Sequence, residues 1–348
     1  MLEEQLHGWD GEELVSAYDQ ATSTWLFIGV HSTVLGPAMG GTRMKPYATP
    51  QDAVTDVLRL SQAMTMKQAA AGLPYGGGKA VLAVPAVPAA GSAERAAMLA
   101  RYADLIESLH GTYVTAADMN TGPADMDAIS ERTSHVLGRS PANGGAGDPG
   151  EGTAIGVFHA IRATCRHAFE TDDLSGRSVV VQGAGSVGAR LIRELLDVGA
   201  KVMASDVDEA RVAATGAEPI PVDAALSTPC DVLSTCATGA VLSEQTIPGL
   251  ECRVVAGAAN NQLATPDDAA RLAARGILYA PDYVANAGGV IWLAGFETLA
   301  WDDAQMRARL AGIEQTLADV FAEADANGVT TAEAADRLAR ARIEAASG

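Results

Sequence analysis

Two lysines and one aspartate stand in settings suited to proton transfer. Lys67 lies in the run Ala63-Met64-Thr65-Met66-Lys67-Gln68-Ala69-Ala70-Ala71-Gly72-Leu73, and Lys79 in Pro74-Tyr75-Gly76-Gly77-Gly78-Lys79-Ala80-Val81-Leu82. A lysine among apolar neighbours must hold a partner or release its proton more easily. A lysine tuned in this way can act as an acid or base near neutral pH. The three glycines before Lys79 leave room for a substrate to come close. Asp118 ends Gly111-Thr112-Tyr113-Val114-Thr115-Ala116-Ala117-Asp118, after a strand-like run, where it could pair with an ammonium and relay protons. Taken singly, each lysine reads equally well as a surface residue beside a turn, and Asp118 as a turn cap.

A second cluster concerns a cofactor. Gly183-Ala184-Gly185-Ser186-Val187-Gly188 follows the β-branched run Ser178–Gln182 and opens a helical stripe of Val187, Leu191, Leu195 and Val198. A G-x-G-x-x-G in that context lets the backbone approach a pyrophosphate, with the helix N-terminus donating N–H groups. Asp206 ends the next strand. A carboxylate there accepts from both ribose hydroxyls and repels a 2′-phosphate, which favours NAD over NADP.

The elements that must position these residues fall into two patterns. In the first half, Trp25–Val30 predicts a buried strand. Thr49-Pro50 predicts a helix start with Val54, Val57, Leu58 and Ser61 on one face. A further helix runs from about Ala93 through Met98, Tyr102, Leu105, Ile106 and Leu109, with Gly111 as its expected C-cap. The glycine-rich stretch Asn143–Gly152 predicts a hinge or boundary. Beyond it strands are expected at Ser178–Gln182, Val202–Ser205, Asp231–Ser234 and Arg253–Ala256. They alternate with helices, one of them opening at Thr265-Pro266 and closing near Gly276. Such alternation predicts an α/β fold with a parallel sheet covered by helices. The expected division is a first domain over 1–145 and a nucleotide-binding domain over 146–324. A C-terminal helix within 325–348, opened by the Thr330/Glu333 capping box, is expected to pack back on the first domain.

Composition narrows the function classes. The 348 residues carry 24 Lys plus Arg against 43 Asp plus Glu, a net charge of −19. That field repels phosphate backbones and anionic lipid, which excludes nucleic acid and membrane surfaces as expected partners. The four cysteines, Cys165, Cys230, Cys236 and Cys252, have neither C-x-x-C spacing nor a histidine pair beside them. No metal site is expected, and a reducing cytoplasm fits best. The acidic N-terminus lacks the apolar core of a signal peptide, and no run is long enough for a membrane span.

Several segments together resemble the glutamate, leucine, phenylalanine and valine dehydrogenase family. They are Leu35–Arg43 (LGPAMGGTR), the Lys67 segment, Gly76–Lys79, Ala117-Asp118, the Gly183 fingerprint, Val255–Asn261 (VAGAANN) and Ala280–Gly289 (APDYVANAGG), in family order. Within the family, Trp9-Asp10-Gly11-Glu12 and Asn327-Gly328-Val329-Thr330 are most similar to phenylalanine dehydrogenases. Asn143–Asp148 is similar to the valine and leucine enzymes.

The resemblance implies a two-domain fold: an N-terminal α/β domain for substrate and oligomerisation, and a doubly wound Rossmann domain for NAD. It implies reversible oxidative deamination of an L-amino acid to a 2-oxo acid and ammonium, in a homo-oligomer. By the same resemblance Lys67 would grip the substrate carboxylate, Lys79 would be the general base, and Asp118 would shuttle protons. Gly40 and Gly41 would border the substrate, with Asn261 beside them. Gly183, Gly185, Ser186, Val187, Gly188, Asp206, Ala237, Asn260 and Asn286 would hold the cofactor.

The substrate side chain would meet Met39, Ala116, Val290 and Leu293. Glutamate-specific relatives carry a lysine at the position of Met39. A γ-carboxylate facing a thioether would be desolvated without an ion pair, so glutamate is a poor expected substrate. L-Phenylalanine is the expected substrate, with leucine or valine as the alternative. A 2-hydroxy acid dehydrogenase and a non-catalytic NAD-binding regulator are the remoter readings. Glu151 departs from the family pattern; it reads either as an exposed hinge carboxylate or as a group pointing at the substrate. Trp292 reads as a packing residue or a substrate contact.

Overall fold

A computed structural model describes residues 2–348. Its contacts divide the chain into two compact units. One comprises the chain up to Asp148 with Leu293–Ala300 and Ala339–Gly348; the other comprises Pro149–Trp292 and Trp301–Leu338.

The first unit is built from α1 (Leu2–Trp9), β1 (Glu13–Asp19), β2 (Thr24–Ser32), β3 (Ala38–Lys45), α2 (Pro50–Ala71), β4 (Gly76–Ala83), α3 (Ala93–Glu107), β5 (Tyr113–Ala117) and α4 (Pro123–Ser130). Its five strands make one sheet in the order β1-β2-β4-β3-β5. The β1–β2 and β2–β4 pairs are antiparallel, whereas β3 runs parallel to both β4 and β5.

Strand alternation gives the sheet two apolar faces. Leu26, Ile28 and Val30 join Met98, Tyr102 and Ile106 of α3 in one core. Phe27 and Val81 join Val54, Val57 and Leu58 of α2, with Trp9, in another. Each such buried side chain contributes on the order of 2 kcal/mol. Helix α2 starts as its sequence predicts. Thr49 Oγ1 accepts from the Asp52 amide at 3.2 Å, and the Asp52 carboxylate accepts from the Thr49 amide at 3.0 Å. Helix α3 stops earlier than expected, with Ser108 as its C-cap; Gly111, at φ +88°, instead turns the chain into β5.

The second unit holds α5 (Gly150–Phe169), β6 (Ser178–Gln182), α6 (Ser186–Asp197), β7 (Lys201–Ser205), α7 (Glu209–Ala213), β8 (Glu218–Pro219), β9 (Val232–Thr235), β10 (Val254–Val255), α8 (Asp267–Ala274), β11 (Leu278–Tyr279), α9 (Asp282–Ala285), the start of α10 (Gly288–Glu297), α11 (Asp303–Asn327) and the first part of α12 (Thr331–Ser347). Its six strands are all parallel, in the order β8-β7-β6-β9-β10-β11. That is the doubly wound order of a dinucleotide-binding sheet, whose switch point lies between β6 and β9. No helix among the described residues is long and apolar enough to cross a membrane.

The units depart from the expected 1–145 and 146–324 division in two places. Residues 293–300 group with the first unit, because Glu297 accepts from the Gly138 and Ala146 amides and Tyr75 donates to Thr298 at 2.7 Å. The tail is divided rather than packed wholly on the first unit. Thr331 donates to the Tyr279 carbonyl and Tyr283 to Asp336 in the second unit, while Arg342 donates to the Ala69 and Ala70 carbonyls in the first.

Candidate active site

The acid–base residues sit on one face of the first sheet. Thr42 points away from it: its hydroxyl meets Tyr102 at 2.7 Å and Thr115 at 2.6 Å in a buried cluster behind the sheet. Side chains alternate along a strand, so Met39, Gly41 and Arg43 of β3 face the other way. Register puts Met39 beside Gly77 and Val114, and Gly41 beside Ala116. Val81 faces α2, so Gly77 and Lys79 do too, and Lys67 is carried by α2 itself. Lys79, Met39, Gly41 and Ala116 therefore share one face of the first unit, and Lys67 is half-buried on the helix packed over that face.

Glycine is needed here for close approach. A Cβ on Gly77 would lie 2.0 Å from Thr65 Oγ1 of α2, and one on Gly41 would lie 2.8 Å from the Asp118 Cβ. Gly40 is held from behind, where the Tyr113 hydroxyl donates to its carbonyl at 2.7 Å.

The electrostatics centre on Asp118. Lys79 is buried, at 6% exposure, and its Nζ lies 3.0 Å from Asp118 Oδ2. Arg43 Nε reaches the same oxygen at 3.1 Å. Burial alone would raise the Asp118 carboxyl, but the two cations outweigh it and hold its pKa down to about 2. Arg43 also reaches Asp56 Oδ2 at 3.0 Å, and that oxygen accepts from the Tyr47 hydroxyl at 2.6 Å. Arg59 closes the chain on Asp56 Oδ1 at 3.0 Å. The Asp118 turn is pinned as well: its amide donates to Thr121 Oγ1, which donates to the Thr42 carbonyl.

Leu293, at 4% exposure, also belongs to the first unit, where its Cδ2 is 3.6 Å from where a Gly138 Cβ would stand. Met39, Val114, Ala116 and Leu293 are all buried. Three groups were missed by the sequence reading: Val114, the Asp56–Tyr47 pair, and Arg43 as anything more than part of a motif. Strand parity from Lys79 and Met39 is the signal that marks Arg43 and Val114. Nothing in the spacing marks Asp56, which α2 brings over Arg43 only once it is folded.

The second unit gathers the expected cofactor residues at its switch point. Gly183, at φ +101°, would carry a Cβ 2.9 Å from the Ala237 Cβ, so the loops after β6 and β9 touch there. A Cβ on Gly188 would stand 1.9 Å from the Gly183 carbonyl, whereas one on Gly185 would meet open space. Ser186 is exposed and Val187 half-buried at the start of α6. Asp206 presents an oriented carboxylate, with Oδ2 accepting from the Ala184 amide at 2.8 Å and Oδ1 from the Asp208 amide at 2.9 Å. Asn286 is buried and donates to Asn260 Oδ1 at 2.8 Å and to the Ala258 carbonyl at 3.1 Å. Its own Oδ1 has no hydrogen-bond partner among the described residues. A glycine-lined helix N-terminus, an oriented carboxylate after β7 and an unpartnered buried amide oxygen fit a nicotinamide dinucleotide.

Asn261 and Val290, expected beside the substrate, belong to this second unit and not to the lysine face. Asn261 is exposed, at φ +52°, and its carbonyl accepts from the Ala240 amide at 2.7 Å. Val290 is half-buried on α10. Glu151 is exposed in the first turn of α5, as a hinge carboxylate would be. Trp292 packs on that helix, where a Cβ on Gly152 would stand 2.5 Å from its own Cβ.

Known proteins carry the same two-unit plan. The profile described as "Glu/Leu/Phe/Val dehydrogenase, dimerisation domain" matches residues 19–135. That described as "Glutamate/Leucine/Phenylalanine/Valine dehydrogenase" matches 144–216 and 205–348. A valine dehydrogenase from Streptomyces virginiae is 43% identical over 342 residues, covering 95% of this chain and 93% of its own. A leucine dehydrogenase from Thermoactinomyces intermedius is 41% identical, covering 97% and 92%. The crystal structure of L-tryptophan dehydrogenase from Nostoc punctiforme superposes with a TM-score of 0.83, at 36% identity and 99% coverage of both chains. The chain therefore belongs to the glutamate, leucine, phenylalanine and valine dehydrogenase family, and is an amino acid dehydrogenase that acts on CH–NH2 groups with a nicotinamide cofactor.

Proposed function

We propose that the protein catalyses NAD-dependent oxidative deamination of a branched-chain aliphatic L-amino acid to its 2-oxo acid and ammonium. The observation that carries the acid–base assignment is the buried Lys79–Asp118 pair on a glycine-floored, apolar-walled face. Bound cofactor supplies the hydride acceptor for the substrate Cα. Lys67 holds the substrate carboxylate from α2. Lys79, as the amine, takes a proton from the water that adds to the iminium carbon, and returns it to the departing nitrogen as ammonia leaves. Asp118 is the proposed proton shuttle beside it, and its carboxylate stabilises the ammonium form as it arises.

NAD is the proposed dinucleotide, supported by the oriented Asp206 carboxylate, which would repel a 2′-phosphate brought to it. Gly183, Gly185, Ser186, Val187, Gly188, Ala237, Asn260 and Asn286 are the proposed cofactor contacts, and Val207, 90% exposed, would offer the adenine an apolar surface. Gly40, Gly41, Met39, Ala116, Asn261, Val290 and Leu293 are the proposed substrate contacts. A homo-oligomer in a cytoplasmic setting belongs to the same proposal, in keeping with the dimerisation-domain profile.

L-Phenylalanine, the expectation from sequence, gives way to valine or leucine. The relatives at 43% and 41% identity act on those by name. The segments that resembled phenylalanine dehydrogenases do structural work: Trp9 Nε1 donates to the Leu58 carbonyl at 2.8 Å, and Gly328, at φ +62°, turns α11 into α12. The test is initial rates for L-valine, L-leucine, L-phenylalanine, L-tryptophan and L-glutamate with NAD, followed by NADH absorbance. A valine or leucine kcat/KM above that of the aromatics supports the reading; phenylalanine above both restores the alternative. In the reductive direction the reaction must need ammonium, which a 2-hydroxy acid dehydrogenase would not.

A further inference from the structure

We propose that Arg43 and Asp56 form a positioning pair that holds the Asp118 carboxylate against Lys79 and sets the electric field at the lysine Nζ. The inference rests on the reading of Lys79 as the acid–base group and adds the residues that set its field.

The geometry is a row of alternating charge. Lys79 Nζ and Arg43 Nε share one oxygen of Asp118, at 3.0 and 3.1 Å. The two cations are therefore no more than about 6 Å apart, close enough to repel strongly at a half-buried site. Arg43 is turned so that its other edge reaches Asp56 at 3.0 Å. Asp56 is itself fixed by Tyr47 at 2.6 Å and Arg59 at 3.0 Å. Arg43 and Asp56 are both largely sealed from solvent, at 15% and 13% side-chain exposure.

A guanidinium that spans two carboxylates has its orientation set by both, which a lysine's single point of contact does not reproduce. The charged and titratable groups around Asp118 come from four elements: Lys79 on β4, Arg43 on β3, Asp56 and Arg59 on α2, and Tyr113 on β5, with Tyr47 from the turn before α2.

The sign of each change follows from this arrangement. Arg43 offsets part of the negative field of Asp118 at Lys79, so removing it lets the ammonium hold its proton to higher pH. Asp56 offsets part of the positive field of Arg43. Removing Asp56 therefore makes proton release from the ammonium easier. The two substitutions displace the same titration in opposite directions, which loosened packing does not do.

The experiment is the pH dependence of kcat/KM for oxidative deamination in the full chain, for the wild type, R43Q, R43K and D56N, with NADH binding followed by fluorescence. For R43Q the expected result is a kcat lower by about 10- to 100-fold, with the acid limb moved up by about half a pH unit or more. For R43K the limb stays within about 0.3 of the wild type, with kcat partly restored. For D56N the limb moves down. A limb that stays put in both R43Q and D56N, or moves the same way in both, overturns the proposal. If R43Q does not fold, the D56N limb decides alone. A wild type that does not oxidise amino acids at all, while binding NADH, overturns the functional reading instead.

Discussion

Lys79 Nζ lies 3.0 Å from the Asp118 carboxylate, and the lysine is almost fully withdrawn from water. Chemistry at Nζ is therefore sensitive to that neighbour. Replacing Lys79 with alanine is expected to cost at least ~10²-fold in kcat. Affinity for the cofactor should hardly change, because Lys79 has no place among the residues of the dinucleotide fold. Steady-state rates alongside NADH fluorescence titration check this; an unchanged kcat would remove Lys79 from the mechanism.

The same ion pair predicts a pH dependence of stability. Asp118 titrates at about 2 when folded and near the ordinary carboxylate value when unfolded, so the unfolded chain binds more protons in between. Its stabilisation is present above about pH 4 and is lost as pH falls towards 2, on the order of 2 kcal/mol in all. Asp118→Asn lacks that contribution and leaves two cations facing a neutral amide. In denaturant titrations it should be less stable than the wild type at pH 7 by a few kcal/mol, with the gap narrowing below pH 4. A gap that stayed constant from pH 7 to pH 2.5 would contradict the assignment.

Asp206 is expected to set the choice of dinucleotide. Its alanine variant should weaken NAD and lower the ratio of kcat/KM for NAD over NADP by about 10-fold or more, because the repulsion of a 2′-phosphate disappears. The Ala184 and Asp208 amides also lose their acceptor, so some loss of affinity for both dinucleotides is expected. The ratio is the decisive measurement, and an unaltered ratio would refute the ribose assignment.

Val114 shares the strand face and register position of Met39. Shortening it to alanine opens the apolar floor by two methyl groups. A change of that size in a hydrophobic pocket alters selectivity by about 10-fold or more. The kcat/KM ratio of phenylalanine to valine should rise accordingly in Val114→Ala. A ratio equal to that of the wild type would move Val114 out of the substrate pocket.

Much of this was legible in the sequence, for physical reasons that differ by segment. The strand, glycine turn and helix around Gly183 are fixed by local rules, and the parallel sheet around them follows from β-α-β alternation. Thr49-Pro50 and Thr330/Glu333 announced their helix starts because capping is a matter of three or four residues. Gly111 misled because a glycine after a helical stripe marks a turn without saying how many residues precede it. Arg43 and Asp56 are 13 residues apart in the chain, and their ion pair exists only because α2 lies over β3. Substrate choice was the least legible. The segments that suggested phenylalanine hold a buried indole at Trp9 and a helix turn at Gly328.

Arg342 donates to the Ala69 and Ala70 carbonyls at the end of α2, the helix that carries Lys67. The first compact unit therefore draws on residues from both extremes of the sequence, with the whole of the other unit between them in the chain. On a ribosome, its N-terminal portion emerges early and must wait with its last contacts unmade until residues 339–348 have been translated. A chain that stopped short of Arg342 would lack both of these bonds at the end of the lysine helix, even though every residue of the acid–base site had already been synthesised.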